Sequence, residues 1–204
     1  MGDSGVSRKV KKGQIVHLSQ QATGFVYYVQ EGLMKIGLAN EKGQEILKDI
    51  VKTGDFFGEL ALLENEETRD MYAVAIEDSI VSFVQVANMK DRMSKDDVFR
   101  TDIMRLLGLR MKRAEDRMHS IIFKTAKERV LGFLQDLATD FGERSGDGLR
   151  MKNFLTHEDI AKIINTSRQT VSTTLSEFKK IGVIDYNSRY MKLYNHKITG
   201  QLSN

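Results

Sequence analysis

Residues 156–180, THEDIAKIINTSRQTVSTTLSEFKK, contain two short amphipathic segments separated by Asn165 and Thr166. Thr156, with an acidic residue three positions later, has the spacing of a helix-capping box. Ser167 can cap a second helix, and asparagine tolerates the left-handed conformation that a sharp corner between helices needs. The stretch therefore predicts a helix-turn-helix, a motif whose second helix enters the major groove of DNA.

The outward face of the second helix carries the side chains that we predict to contact bases: Arg168, Gln169, Ser172 and Thr173. Arginine can bind guanine through two acceptors, and glutamine can pair both ways with adenine, each for about 1–3 kcal/mol of discrimination. A turn at Asn187-Ser188 between two apolar runs predicts a β-hairpin wing. A solvated polar helix face is the alternative, but the neighbouring corner and wing favour DNA reading.

Charge is unevenly distributed along the 204 residues, although the net charge is only +3. Residues 1–124 carry 19 basic and 19 acidic side chains, whereas residues 125–204 carry 12 and 9. The excess falls on the segment expected to meet phosphate, with a chance imbalance as the alternative.

Composition excludes several kinds of site. The chain has no cysteine, so disulfides, iron–sulfur clusters and thiolate metal sites are excluded. The histidines show no metal-ligand spacing, which argues against metal or haem: His17, His119, His157 and His196. Catalytic signatures such as HExxH are missing, so we expect no enzyme. No apolar run reaches the roughly 20 residues of a membrane span and no signal peptide opens the chain, so we expect a cytoplasmic protein.

Residues 13–86 alternate between short β-rich runs and turn-forming residues. The predicted strands are Gln14–Leu18, Val26–Gln30, Leu33–Ala39, Glu45–Val51, Ala73–Ile76 and Ile80–Val86. Strands this closely spaced, with no helical period between them, predict a small antiparallel barrel or roll.

A long helix is predicted from Asp96-Asp97 to about Phe123. Its apolar residues fall at the a and d positions of a heptad repeat, which predicts a dimer seam: Met104, Leu107, Met111, Ala114, Met118 and Ile121. Arg110 and Glu115 fall at g and e positions, where they would attract each other across a parallel dimer. A second apolar edge, Ile103, Leu106 and Leu109, is expected to pack on the roll. The alternative is burial of both edges within one subunit.

The helix after the seam starts at a second capping box, Thr125 to Glu128, so Phe123 and Lys124 are predicted to form a hinge.

Two motifs, TGDFFGELAL at 53–62 and TSRQTV at 166–171, flank the heptad helix. In this order the chain resembles the Crp/Fnr (catabolite activator and fumarate–nitrate reduction regulator) family from Arg8 to Tyr194. The resemblance implies an α+β protein with a cyclic-nucleotide-binding-type β-roll at 8–94, a dimerisation helix at 95–123 and a winged helix-turn-helix at 125–204. It also implies a homodimer on a palindromic operator in double-stranded DNA, with RNA polymerase as a further partner.

The resemblance implies base contacts for Arg168, Gln169 and Thr173 and phosphate contacts for His157, Ser167, Thr170 and Lys127. Members that read a TGTGA half-site usually have glutamate at the position of Gln169 and arginine at that of Thr173. We therefore expect a different half-site.

For the roll, the resemblance implies an effector pocket formed by Gly58, Glu59, Leu60, Ala61 and Arg69, with Asp70 beside it. Family cyclic-nucleotide binders have a small residue at the position of Asp70, and this carboxylate would repel a phosphate or pair with Arg69. We expect a different small effector or no required cofactor, with haem disfavoured. The alternative function is a cyclic-nucleotide-sensing module that acts on a protein partner.

Overall fold

The computed structural model describes residues 6–17, 24–40, 42, 45–63 and 71–194, without the side chain of His17. The chain divides into two compact units between Lys112 and Arg113, inside a long helix. Each unit has its own core.

The first unit contains a β-roll of two four-stranded antiparallel sheets, ordered β1-β8-β3-β6 and β2-β7-β4-β5. The strands are β1 (Val6–Val10), β2 (Ile15–His17), β3 (Phe25–Glu31), β4 (Leu33–Ala39), β5 (Glu45–Lys52), β6 (Phe56–Phe57), β7 (Met71–Ala75) and β8 (Ser79–Gln85). The predicted antiparallel roll is confirmed, and Leu18 of the first predicted strand lies outside the described residues.

Alternation of apolar and polar residues buries one face of each sheet. In β7, for example, Met71, Ala73 and Ala75 are buried while the residues between them are half-exposed. The core they join also contains Tyr27 and Phe57, whose rings stack with centroids 4.9 Å apart. Stacked aromatic rings add to the area that the two sheets bury.

Two helices complete the first unit, α1 (Val86–Lys95) and the start of α2 (Asp97–Phe123). The sequence prediction contained α2 but not α1, β1 or β6. α1 lacks a side-chain cap at its N-terminus, and four of the five residues of β1 are exposed at a sheet edge. Ile103 of α2 lies in a small core with Met89 of α1 and Val26 of β3, so the packing on the roll that was expected for Ile103 is confirmed.

The second unit takes α2 onward through α3 (Ala126–Phe141), β9 (Glu143–Ser145), β10 (Gly148–Lys152), α4 (His157–Ile164), α5 (Arg168–Lys180), β11 (Ile184–Tyr186) and β12 (Tyr190–Tyr194). Its strands form one antiparallel sheet ordered β11-β12-β10-β9. The capping box at Thr125 is present, since its hydroxyl accepts from the Glu128 N–H at 3.3 Å and the Glu128 carboxylate accepts in return at 2.7 Å. With a β-roll and a helical unit that carries a small sheet, the α+β class is confirmed.

Residues 142–148 are polar and contain three glycines, a composition that predicts a loop, but they lie in a β-hairpin in which β9 pairs with β10. Gly146 has a φ of 61° and lies in the turn of this hairpin. Gly148 lies so close to β12 that an added Cβ would be 2.1 Å from the Leu193 carbonyl oxygen. The glycines thus serve strand pairing here, which explains why a loop was the wrong interpretation.

Candidate nucleic-acid interface and effector site

The corner between α4 and α5 has the geometry that its sequence predicts. Asn165 adopts the left-handed conformation, with φ 54° and ψ 63°. Ile160, Ala161, Ile163 and Ile164 of α4 are buried, as are Val171, Leu175 and Phe178 of α5. The inner faces of the two helices share an apolar core, so α5 turns its opposite face outward.

Ser167 caps α5. Its hydroxyl accepts a hydrogen bond from the Thr170 N–H at 3.0 Å, and the two hydroxyl oxygens are 2.8 Å apart. Both predicted phosphate-contact residues therefore lie at the N-terminus of α5, where unpaired backbone N–H groups and the helix dipole favour an anion.

The outward face of α5, which is predicted to contact bases and is called the reading face below, is largely exposed. Arg168, Gln169 and Thr173 point to solvent, whereas Ser172 is half-buried and its carbonyl accepts from Ser176. Within the described part of the chain, the first three side chains have no hydrogen bond or ion pair to another residue. They are therefore available to an external partner without loss of an internal bond.

The remaining predicted phosphate contacts lie on α3 and α4. Lys127 of α3 pairs with Glu177 of α5 at 2.9 Å, with both side chains about half exposed. The half-buried His157 ring contacts the Tyr186 ring edge-on, with centroids 6.3 Å apart. An exposed ion pair contributes only about 0–1 kcal/mol, so Lys127 can exchange Glu177 for a phosphate at little cost.

The predicted wing is the hairpin of β11 and β12. Lys179 of α5 anchors it, because this side chain donates to the Tyr186 carbonyl at 2.8 Å and pairs with Asp185 at 2.9 Å. The Asn187 side chain closes the turn by accepting from the Arg189 and Tyr190 N–H groups at 2.8 and 3.1 Å. This arrangement places exposed Arg189 at the tip of the wing, a cation that the sequence analysis did not select.

In the roll, Gly58 precedes a short 3-10 helix, Glu59–Leu62, so that Gly58, Glu59, Leu60 and Ala61 are consecutive around one bend. Gly58 has a φ of 80°, and an added Cβ would lie 2.9 Å from the Tyr27 ring. Only glycine fits this bend without strain. Arg69 and Asp70 lie outside the described residues.

Glu59 belongs to a nearly buried cluster of ionised groups. Its carboxylate pairs with Lys48 at 3.1 Å and with Arg110 of α2, and the exposed fractions are 11% for Glu59 and 15% for Arg110. Arg110 also donates to the Phe56 carbonyl and lies 3.9 Å from the Asp49 carboxylate. Burial by itself would raise the pKa of Glu59, but the charges of Arg110 and Lys48 outweigh burial and hold this pKa below its ordinary value.

This cluster corrects the expected role of Arg110. The heptad register predicted a pair between Arg110 and Glu115 across a dimer, but the guanidinium is turned to Glu59 in its own chain. Glu115 remains exposed. Sequence reasoning missed this pair because its members lie 51 positions apart and no local pattern connects them.

The side chains of the predicted seam on α2 are exposed to solvent in the single chain, which contradicts the alternative that they are buried within one subunit. Met111 is 65% exposed and Met118 60%, and Met104, Leu107, Ala114 and Ile121 are exposed as well. On the second apolar edge, Leu109 is 54% exposed rather than packed on the roll. These exposed side chains leave an apolar surface on α2, and its role as a dimer seam stays a prediction.

No helix among the described residues is long and apolar enough to cross a membrane. The same residues include no group of three or more histidine, aspartate or glutamate side chains placed to hold a metal ion. His196 lies outside the described residues.

Two domain profiles match the chain. Residues 7–96 match the cyclic nucleotide-binding domain, and residues 128–197 match the Crp-like helix-turn-helix domain. The first match covers the described roll and α1, and the second covers most of the second unit.

Known proteins of similar sequence are regulators. The CRP-like cAMP-activated global transcriptional regulator of Mycobacterium tuberculosis is 28% identical over 173 residues, which are 85% of this chain and 77% of that protein. The fumarate and nitrate reduction regulatory protein of Escherichia coli K12 is 25% identical over 203 residues, covering 98% and 80%.

Among solved structures, FixK2 from Bradyrhizobium japonicum superposes with a TM-score of 0.82 at 22% identity, over 98% of both chains. A CooA variant from Carboxydothermus hydrogenoformans also gives 0.82, at 24% identity, over 98% of this chain and 88% of that one. Both likenesses show the fold.

Proposed function

The chain belongs to the Crp/Fnr family of transcription regulators, and from this premise we propose which of its residues bind DNA and how. It is a sequence-specific DNA-binding regulator of that type, and HTH regulators of this family are dimeric. The observation that carries the proposal is a set of exposed side chains at the start of α5 that form no hydrogen bond or ion pair with any other described residue: Arg168, Gln169 and Thr173. The alternative of a module that acts on a protein partner does not account for the matched helix-turn-helix domain.

Each residue of the reading face has a role that follows from its chemistry. Arg168 donates twice to the acceptors of a guanine, and Gln169 pairs with both groups of an adenine edge. Thr173 and Ser172 offer hydroxyls to flanking bases, with Thr173 also presenting a methyl group to thymine. The half-site then differs from that of members with glutamate and arginine at the positions of Gln169 and Thr173.

Phosphate contacts fix the register of α5 on the duplex. Ser167 and Thr170 donate at the helix N-terminus, while His157 and Lys127 approach the backbone from α4 and α3. These contacts are neutral to sequence, so they raise affinity for all DNA and increase its salt dependence.

Arg168→Ala tests the assignment of the reading helix. We expect the variant to lose about 1–3 kcal/mol of affinity for the palindrome that the wild-type chain selects, while keeping its affinity for unrelated DNA. The measurement is fluorescence anisotropy with both duplexes at one salt concentration.

Arg144→Ala is the matched control, because Arg144 is an exposed arginine on β9, at the edge of the sheet opposite β11. We expect it to leave the preference for the selected site intact. Equal discrimination by Arg168→Ala and wild type would overturn the assignment.

Dimerisation through α2 is the second part of the proposal. The exposed seam, Met104 to Ile121, would be covered by the same seam of a second copy. Two-fold symmetry then requires palindromic sites whose halves lie about 34 Å apart, one helical turn of DNA.

We assign the sensor domain to residues 8–94, the dimerisation helix to 95–123 and the DNA-binding domain to 125–204. Glu59 is the carboxylate that the resemblance assigns to a ribose hydroxyl, and it already pairs with Arg110 and Lys48, so a cyclic nucleotide would compete with these ion pairs for it. We propose that the roll requires no cofactor and answers to a different small effector, or to none.

Three further parts of the proposal follow from DNA-dependent regulation. RNA polymerase is a protein partner at regulated promoters. The protein is located in the cytoplasm, where bacterial chromosomal DNA lies. It acts by binding rather than by catalysis.

A further inference from the structure

Arg129, in the first turn of α3, binds three backbone carbonyls from two separate segments. Its Nη1 donates to the Lys124 carbonyl at 2.8 Å. On the other side, its Nε donates to the Ile164 carbonyl at 3.0 Å and its Nη2 to the Asn165 carbonyl at 3.1 Å. One guanidinium thus joins the residue after α2 to the corner between α4 and α5.

The accepting carbonyls lie where a fixed cation is most effective. Helix C-termini leave carbonyls without intrahelical partners and carry the negative end of the helix dipole. Lys124 follows the last residue of α2, and Ile164 is the last residue of α4. A planar guanidinium can satisfy both ends in one fixed geometry, whereas an ammonium on a flexible stem cannot.

The two segments that Arg129 joins belong to the two parts of a DNA-binding dimer. The last seam residues, Ala114, Met118 and Ile121, lie on the same continuous helix that ends beside Lys124. On the other side, α5 begins at Arg168, three residues after Asn165. The position of the reading helix relative to the end of the seam therefore depends on the bonds of Arg129.

We propose that Arg129 is the positioning residue that sets the distance between half-sites which the dimer accepts. This inference rests on the proposed reading of DNA by α5 and on dimerisation through α2. Arg129 touches no base in this proposal; it fixes the angle at which each copy presents α5 to its half-site.

The test uses the full chain and the palindrome that the wild type selects from random DNA. The spacer of that palindrome is lengthened or shortened by one base pair, which rotates one half-site by about 34° relative to the other. We expect wild type to lose about tenfold or more in affinity with either change, and Arg129→Lys or Arg129→Gln to lose about threefold or less. A wild-type spacing preference kept by Arg129→Lys would overturn the proposal.

A duplex with a single half-site separates positioning from folding of the reading unit. We expect Arg129→Lys to bind it as wild type does, because spacing has no meaning there. An equal loss on the single half-site and the palindrome would contradict the proposal and assign Arg129 to stability of the unit. Arg113→Lys is the matched control, since Arg113 makes an exposed pair with Asp140 at 3.4 Å that a lysine can also make, and it should keep the wild-type spacing preference.

The outcome is distinguishable from failure of the proposed function. If wild type selects no palindrome, DNA reading by a symmetric dimer is wrong and the role of Arg129 falls with it. If wild type shows a sharp spacing preference that Arg129→Lys shares, only the inference about Arg129 is wrong.

Discussion

At the residue scale, Gln169 is the position of the reading face where one substitution changes the hydrogen-bonding groups offered to a base without disturbing the fold. A glutamine amide both donates and accepts, which suits adenine, whereas a carboxylate only accepts and suits the amino group of cytosine. Its exposed side chain has no partner among the described residues, so a substitution leaves the rest of the unit undisturbed.

Gln169→Glu should move the preferred base from adenine to cytosine at one position of each half-site, a change of about 1–3 kcal/mol in relative affinity. Competition binding with all four bases at each position measures it. Lys180→Gln alters the charge of α5 by the same amount, away from its N-terminal face, and should change no base preference. An unaltered adenine preference in Gln169→Glu would show that Gln169 does not read that base.

Glu59 shows how one residue connects the chemistry of the roll to its stability. Its folded-state pKa lies below the ordinary value of 4.5, so its ion pairs stabilise the roll above that pH. As pH falls through the lowered pKa, the carboxylate becomes protonated and this stabilisation disappears.

Glu59→Gln should therefore lower the free energy of unfolding by about 2 kcal/mol at pH 7, with the difference from wild type shrinking in acid. Urea unfolding of both proteins at neutral pH, and again at a pH below the pKa values of the carboxyl groups, measures this difference in the free energy of unfolding. Glu31→Gln, at an exposed position of β3, should stay within about 0.5 kcal/mol of wild type at both. A constant difference across pH would contradict the ion-pair account.

At the element scale, α2 has two exposed apolar positions with opposite expected behaviour. Met111 lies on the heptad seam, whereas Leu109 lies at an f position that faces away from a partner helix. Met111→Glu buries a charge in the dimer and should produce monomers with weakened operator binding, while Leu109→Glu should remain dimeric. Light scattering after size-exclusion chromatography measures the oligomeric state of both variants. If Leu109→Glu were monomeric while Met111→Glu stayed dimeric, the seam would be wrongly placed.

The elements that sequence predicts well are those with local signals. Thr125, Thr156 and Ser167 each lie within three residues of the group they cap, and Asn165 shapes its corner alone. The pair of Arg110 with Glu59 and the bond of Arg129 to the Ile164 carbonyl were missed, because their members lie 51 and 35 positions apart and charge type alone does not identify such pairs. α1 and β1 were missed because their own signals are weak: α1 lacks a capping side chain and β1 is an exposed strand at a sheet edge.

At the scale of the whole molecule, a sensor roll and a DNA-reading unit share one helix. α2 begins in the first unit and ends in the second, and its exposed seam runs through both. A symmetric dimer built on this seam presents two copies of α5, and symmetry in the protein requires symmetry in the site.

Selection of bound duplexes from random-sequence DNA by the purified wild-type chain tests the central claim most directly. The account predicts a palindrome with half-sites about one helical turn apart, recovered equally with and without added cAMP. Recovery of no preferred sequence under either condition, or of a site without two-fold symmetry, would contradict it.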